Sequence, residues 1–321
     1  MHAPLRIAII GCGGIARAHL EAMKDLPARP VVMVDIDEGR ARQYAQAYGA
    51  DRHATRIEDA LADDVDAAII CLPHHLHRQA AVAAAERGKH VLTEKPMALS
   101  LQEADAMIEA ARRNHVCLMV GQVLRFRGAN VKARQLIREG RIGEPRNAIR
   151  RRLSRSREFP SPWARDPAQA GGWVLYGYGS HEVDMLLWLF DTHARRVYAQ
   201  ARRNNPYWND DDEVSLQMEL ANGMIATLNH SLNSASEVWD TCITGTQGSM
   251  YVANERIVLN GEEMRVPMGP AMERQLREFI AAIAERREPE ASGADVRRTM
   301  QALEAARLSI ASGQVISTGG M

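Results

Sequence analysis

Leu5-Arg6-Ile7-Ala8-Ile9-Ile10-Gly11-Cys12-Gly13-Gly14-Ile15-Ala16 is the stretch that decides the fold. A short apolar run stops at a cluster of glycines, and Arg17 and His19 follow where the apolar core of a signal peptide would have to continue. The stretch therefore reads as a strand, a tight turn and the start of a helix.

The same alternation repeats downstream. Val31 to Asp35, Ala67 to Leu72, His90 to Leu92 and Val116 to Val120 are continuous apolar runs, the pattern of strands covered on both faces of a parallel sheet. Ala16 to Met23, Gly39 to Tyr48, Arg78 to Arg87 and Leu101 to Arg113 lie between them and are long enough for helices. Ser100 and Glu103 form a capping box for the last. Strand and helix in turn predict a doubly wound α/β domain over residues 1–123.

From residue 124 the pattern changes. Asn222-Gly223 and Asn260-Gly261 are each flanked by strand-like residues, a strong hairpin signal. An antiparallel or mixed sheet is expected in this second half, residues 124–321. Two helices should close the chain, with Leu276, Phe279, Ile280 and Ile283 on one apolar stripe and Val296, Met300, Leu303 and Ile310 on the other.

A length of 321 residues suits two domains. Lys plus Arg equals Asp plus Glu at 40 each, a balance that argues against a dedicated nucleic-acid binder. No apolar run approaches the roughly 20 residues of a transmembrane helix. The four cysteines form no C-x-x-C pair, which fits a reducing, cytoplasmic setting.

Gly11-x-Gly13-x-x-Ala16 lies where glycines let backbone approach a pyrophosphate at a helix N-terminus. Asp35, 24 residues after Gly11, ends the second strand at the spacing of an acid that binds the adenosine ribose hydroxyls. An acid there followed by Ile36, with no Arg or Ser to take a 2′-phosphate, predicts NAD as cofactor in preference to NADP.

Pro73-His74-His75-Leu76-His77, Gly88-Lys89-His90-Val91-Leu92-Thr93-Glu94-Lys95-Pro96, Arg125-Phe126, Gly171-Gly172 and Ser180-His181-Glu182-Val183-Asp184 complete a pattern. With Gly245-Thr246-Gln247-Gly248, these residues resemble the Gfo/Idh/MocA family of oxidoreductases over nearly the whole chain. The resemblance implies a Rossmann domain followed by a substrate-binding α/β domain with a large open, mostly antiparallel sheet, and reversible hydride transfer between nicotinamide and a sugar, polyol or related hydroxy compound. It implies cofactor contacts at Gly11, Gly13, Gly14, Ile15, Asp35, Leu72, Pro73, His75, Glu94, Lys95 and Gln122. It also puts Lys95 at the substrate hydroxyl with His181 beside it, and favours a homodimer or homotetramer.

A lysine desolvated near a positively charged nicotinamide suits proton abstraction. Taken alone, Lys95 reads as a strand-end lysine in a surface pair with Glu94. His181 and Asp184 lie three apart in a predicted helix, so Asp184 is expected to orient the imidazole. The sequence departs from its family at Gly177, where polyol dehydrogenases of this type carry an aspartate four residues before the histidine; Tyr176 and Tyr178 flank it.

His74, His75 and His77 lack partners at zinc-site spacing, and Asp210 to Glu213 lacks the form of a calcium loop, so no metal is expected. Arg150, Arg151, Arg152, Arg155 and Arg157 form the one strongly basic tract, only part of which can face any single partner on a strand. A sheet face or interface is its ordinary role, and an acidic substrate is the alternative. Beside the dehydrogenase, two functions are compatible with the fold: a lyase or hydrolase using the nicotinamide transiently, and a non-catalytic dinucleotide-binding relative.

Overall fold

The computed structural model describes residues 3–321. The chain divides into two compact units, one running to Val123 and taking in Met272–Arg297, the other formed by Leu124–Ala271 and Arg298–Met321.

The first unit is built on six parallel strands, β1 (Leu5–Ile10), β2 (Ala28–Val34), β3 (Arg52–Ala54), β4 (Ala67–Ile70), β5 (His90–Thr93) and β6 (Leu118–Val120). Their order is β3-β2-β1-β4-β5-β6, so the strand order reverses between β1 and β4. Helices α1 (Gly14–Met23), α2 (Glu38–Tyr48), α3 (His77–Glu86) and α4 (Leu101–Arg113) connect them. The predicted cap of α4 is present: the Glu103 N–H donates to Ser100 Oγ at 3.2 Å, while Glu103 Oε2 accepts from the Leu99 N–H rather than from Ser100.

Residues 272–297 depart from the expected division, which gave all of 124–321 to the second domain. The reason lies at the edge strand β6, whose outer backbone groups need partners. The Val120 N–H donates to the Ala291 carbonyl at 2.9 Å, and Met119 bridges Ser292.

The second unit contains α5 (Gly128–Arg138), β7 (Pro145–Arg155), α6 (Pro167–Ala170), α7 (Gly179–Leu189), β8 (Ala194–Arg202), β9 (Glu213–Leu220) and β10 (Ile225–Ser231). It continues through β11 (Asn233–Gly245), β12 (Ser249–Ala253), β13 (Arg256–Leu259) and β14 (Glu262–Arg265). Helices α8 (Ala271–Glu285) and α9 (Gly293–Ser312) and the short β15 (Ile316–Ser317) end the chain. Nine strands form one sheet in the order β14-β13-β12-β11-β7-β10-β9-β8-β15. Every pairing is antiparallel except β7 with β10.

Both Asn-Gly pairs make turns, though of different kinds. Asn260 and Gly261 both take positive φ, 52° and 88°, as a two-residue hairpin between β13 and β14 requires. Between β9 and β10 only Gly223 does so. Burial alternates along β9 and β10, with Leu216, Met218, Ala226 and Leu228 inward. On the opposite face Ile149 and Ile225 stay 40% and 46% exposed on adjacent strands.

Candidate functional site

In the first unit, the predicted cofactor residues lie past the C-terminal ends of the parallel strands, Gly11 to Ile15 and Leu72-Pro73 at the reversal between β1 and β4, and Asp35, Glu94-Lys95 and Gln122 after β2, β5 and β6. Gly11 has φ +94°, and a Cβ there would lie 2.5 Å from the Cys71 carbonyl oxygen, so both backbone conformation and close approach to the β4 loop demand glycine. At Gly13 and Gly14 a Cβ would meet no protein atom within 4 Å. Protein packing therefore does not explain those two glycines, whereas a ligand lying on the turn does. Gly13 caps α1 without a side-chain hydrogen bond, and the first turn carries no acid, which leaves the helix N-terminus suited to an anion. Ile15 is 37% exposed on the same turn.

Asp35 is buried and held by two backbone donors, the Cys12 N–H at 3.0 Å and the Asp37 N–H at 2.9 Å. Arg40 also approaches both of its oxygens at 3.4 Å. That arginine escaped the sequence reading, although its place five residues after the acid, in the first turn of α2, puts it within reach. These residues fit the pyrophosphate and ribose of a dinucleotide.

After β4, Leu72 and Pro73 are half-buried and His75 is exposed. His77 fixes this loop: its Nδ1 lies 2.8 Å from the Pro96 carbonyl and its Nε2 2.9 Å from that of Leu72. Gln122 follows β6 and is buried. Glu94 is not the surface partner of Lys95 that the bare sequence suggested. Its carboxylate points inward to His19 Nε2 at 2.8 Å and accepts the Lys95 backbone N–H at 3.3 Å. Burial pushes the Glu94 carboxyl up, but the His19 hydrogen bond and the charges of His19 and Lys95 outweigh it and hold it below its ordinary value. Lys95 is the single residue from Val91 to Ala98 that is not buried.

The second unit shows a parallel arrangement. A π-helical turn, Trp173–Tyr178, runs into α7, and along α7 every residue is buried except His181. Asp184 does not take the expected role of orienting His181. Its carboxylate accepts from Arg125 Nε at 2.8 Å and Nη2 at 2.6 Å and from the Thr299 hydroxyl at 3.0 Å, with Arg125 and Asp184 both 1% exposed. A buried guanidinium attracts a neighbouring acid more strongly than an imidazole does, so Asp184 locks α7 to the Arg125 segment instead.

Glu182, which the sequence reading passed over, is fully buried and pairs with Arg150; Arg152 lies 3.5 Å away. Arg150 also donates to the Thr241 hydroxyl at 2.7 Å. The arginine tract splits as strand alternation requires: Arg150 and Arg152 face Glu182, and Arg151 on the other side pairs with Asp240. A glutamate adjacent to His181 and facing a run of arginines was the signal available.

At Gly177, a Cβ would come within 3.0 Å of the Trp173 indole. The tryptophan thus occupies the room an aspartate side chain would need. Tyr176 is buried and its hydroxyl donates to Glu304 at 3.2 Å, so it serves packing. Tyr178 packs against Trp173 and His230, with the Arg152 guanidinium 4.5 Å from its ring centre.

Known proteins place the chain firmly. Residues 5–122 match the model described as an oxidoreductase family with an NAD-binding Rossmann fold, and 130–251 match the GFO/IDH/MocA C-terminal domain. A 1,5-anhydro-D-fructose reductase of Ensifer adhaerens is 30% identical, with 90% of this chain and 91% of that one covered. A 4-carboxy-2-hydroxymuconate-6-semialdehyde dehydrogenase of Sphingobium sp. is 28% identical over 91% and 94% of the two chains. In fold, the chain is similar to an oxidoreductase from Agrobacterium radiobacter solved with NAD+, L-tartaric acid and magnesium; the TM-score is 0.91 at 22% identity, covering 99% of each chain. Matched in both halves by the family models and 30% identical to a relative over 90% of its length, the chain belongs to the Gfo/Idh/MocA family and is an NAD-dependent oxidoreductase.

Proposed function

We propose that the protein transfers a hydride between NAD and a hydroxyl-bearing carbon of a polyol, sugar or related hydroxy compound, with Lys95 and His181 as the residues that handle the hydroxyl proton. The observation that carries this reading is the matched exposure of the two side chains. Each unit buries a whole segment around one titratable residue and leaves that residue alone accessible, Lys95 in one and His181 in the other. Packing explains the buried neighbours; it gives no reason for the exceptions.

NAD, when bound, supplies the hydride acceptor. Lys95 takes the proton from the substrate hydroxyl as the carbon is oxidised, a role for which it must reach the oxygen directly. His181 holds the same hydroxyl by hydrogen bond and fixes its direction. Glu94, turned onto His19 and accepting the Lys95 backbone N–H, and His77, tied to the Pro96 carbonyl, hold the Lys95 backbone in place. Relatives named as a reductase of an anhydro sugar and as a semialdehyde dehydrogenase support this class of chemistry.

Asp35 supports NAD over NADP, because a buried carboxylate held by two backbone donors repels a 2′-phosphate. The second unit serves as the substrate-binding half. Exposed Ile149 and Ile225 on the open sheet face support a homodimer or homotetramer joined there, and four cysteines without disulfides support a cytoplasmic setting. Among the described residues, no helix is long and apolar enough to cross a membrane.

A panel of polyols, sugars and hydroxy acids, followed by NADH absorbance together with product analysis, tests the reading. Net NADH formation from an alcohol is the expected result. Product without net absorbance change would instead indicate a lyase or hydrolase that uses the nicotinamide transiently.

A further inference from the structure

Cations outnumber acids around the first turn of α7. Glu182 is taken by Arg150 and shared with Arg152, and Asp184 is taken by Arg125. Arg127 is half-buried and lies over an aromatic ring. Its guanidinium carbon lies 4.3 Å from the centre of the Trp239 ring, and that of Arg152 lies at the same 4.3 Å. The two cations can be no farther apart than twice that distance. Burial lowers the proton affinity of Arg127, and the charges of Arg152 and Arg150 push the same way against the attraction of Glu182.

Several buried polar atoms in this cluster lack a hydrogen-bond partner: Arg152 Nε, Trp239 Nε1 and both ring nitrogens of His230. His230 is 2% exposed and packs on Tyr178, and burial followed by the Arg152 charge pushes it down to about 3, so it adds no positive charge. Two neighbouring guanidiniums half-withdrawn from water repel one another and lose hydration. A neutral polyol relieves neither cost, whereas an anion relieves both. A guanidinium and an indole N–H can each donate to a carboxylate oxygen.

We propose that the substrate held at His181 carries a carboxylate, and that Arg127, Arg152 and the Trp239 N–H form its subsite. The substrate class is then a hydroxy acid of sugar type. This rests on the dehydrogenase reading only for the hydroxyl end of the molecule.

Calorimetry on the NAD-saturated full chain tests the subsite independently of turnover, using four- to six-carbon aldonates, the hexitol and a hexose phosphate as probes. An aldonate is expected to bind at least about 10-fold more tightly than the polyol of equal length. Arg127→Gln should weaken the acid by roughly 10- to 100-fold while leaving NAD and polyol binding unchanged, and Arg127→Lys should recover part of the loss. Equal binding of acid and polyol, no acid bound, indifference to Arg127→Gln, or preference for the phosphate would each overturn the proposal. NADH formation in the same samples separates the two readings. Acids bound through Arg127 without any NADH would reject hydride transfer and keep the subsite. Polyol oxidation with aldonate binding indifferent to Arg127→Gln would keep hydride transfer and reject the subsite.

Discussion

In the first unit the groups around the strand ends are largely backbone: the Gly11-Gly14 turn, the uncapped start of α1, and one carboxylate, Asp35, held by main-chain donors. In the second they are charged side chains, two buried Arg–carboxylate pairs with further arginines beside them. The difference tracks what each is proposed to recognise. A dinucleotide's pyrophosphate can be bound by N–H groups that any residue supplies, provided no Cβ intrudes. A small substrate has to be read by side-chain chemistry, and the ion pairs that fix those side chains are buried because α7 is buried.

The comparison can be broken at its ion pairs first. Asp184→Ala leaves Arg125 charged and buried, and should cost about 3–5 kcal/mol of stability, measured by urea denaturation. A loss below about 1 kcal/mol would mean that the pair does not anchor α7. Gly11→Ala comes next, since it combines a positive φ with a 2.5 Å approach to a carbonyl. A loss of about 2–4 kcal/mol is expected, together with weakened NAD binding. If NAD affinity stays at wild-type level in a folded Gly11→Ala protein, the turn does not set the cofactor's position.

A milder change sharpens the account of the second unit. Gly177→Asp must displace the Trp173 ring, a shift worth about 1–3 kcal/mol, and thermal melts should show it. A variant as stable as the parent would show that the indole moves aside freely.

The smallest expected effect concerns pH. Glu94 titrates below its ordinary value of 4.5 in the folded chain, so its stabilisation is complete above that value and is lost as pH falls through the lower folded one. Glu94→Gln should therefore flatten the decline in stability as pH falls below the ordinary carboxyl value of 4.5. An acid limb unchanged by this substitution would place the titrating group elsewhere.

How far these features were legible in the sequence differs between the units for the same physical reason. Strands β1, β4 and β5, helices α1 to α4 and the glycine turn are written in local patterns, and apart from a few terminal residues they lie where the patterns put them. Strand β3 was missed because Arg52–Ala54 is three residues long at a sheet edge, with too few apolar positions to register. In the second unit, β9 and the Asn-Gly turns were local and readable. The partners of Asp184 and Glu182 were not, since Arg125 and Arg150 lie 59 and 32 residues away and proximity in sequence favoured His181 instead. Likewise nothing local tells that Trp173 fills the space beside Gly177, or that Ala291 and Ser292 return to pair with β6.

The central claim is that Lys95, the accessible residue in a buried segment, accepts the substrate proton. Single-turnover kinetics of Lys95→Met with an identified substrate, read beside NAD affinity by calorimetry, tests it most directly. The account predicts NAD affinity within about twofold of wild type and a rate of hydride transfer reduced at least about 100-fold. Turnover near the wild-type rate would contradict it, and would direct the search for the proton acceptor to Tyr178.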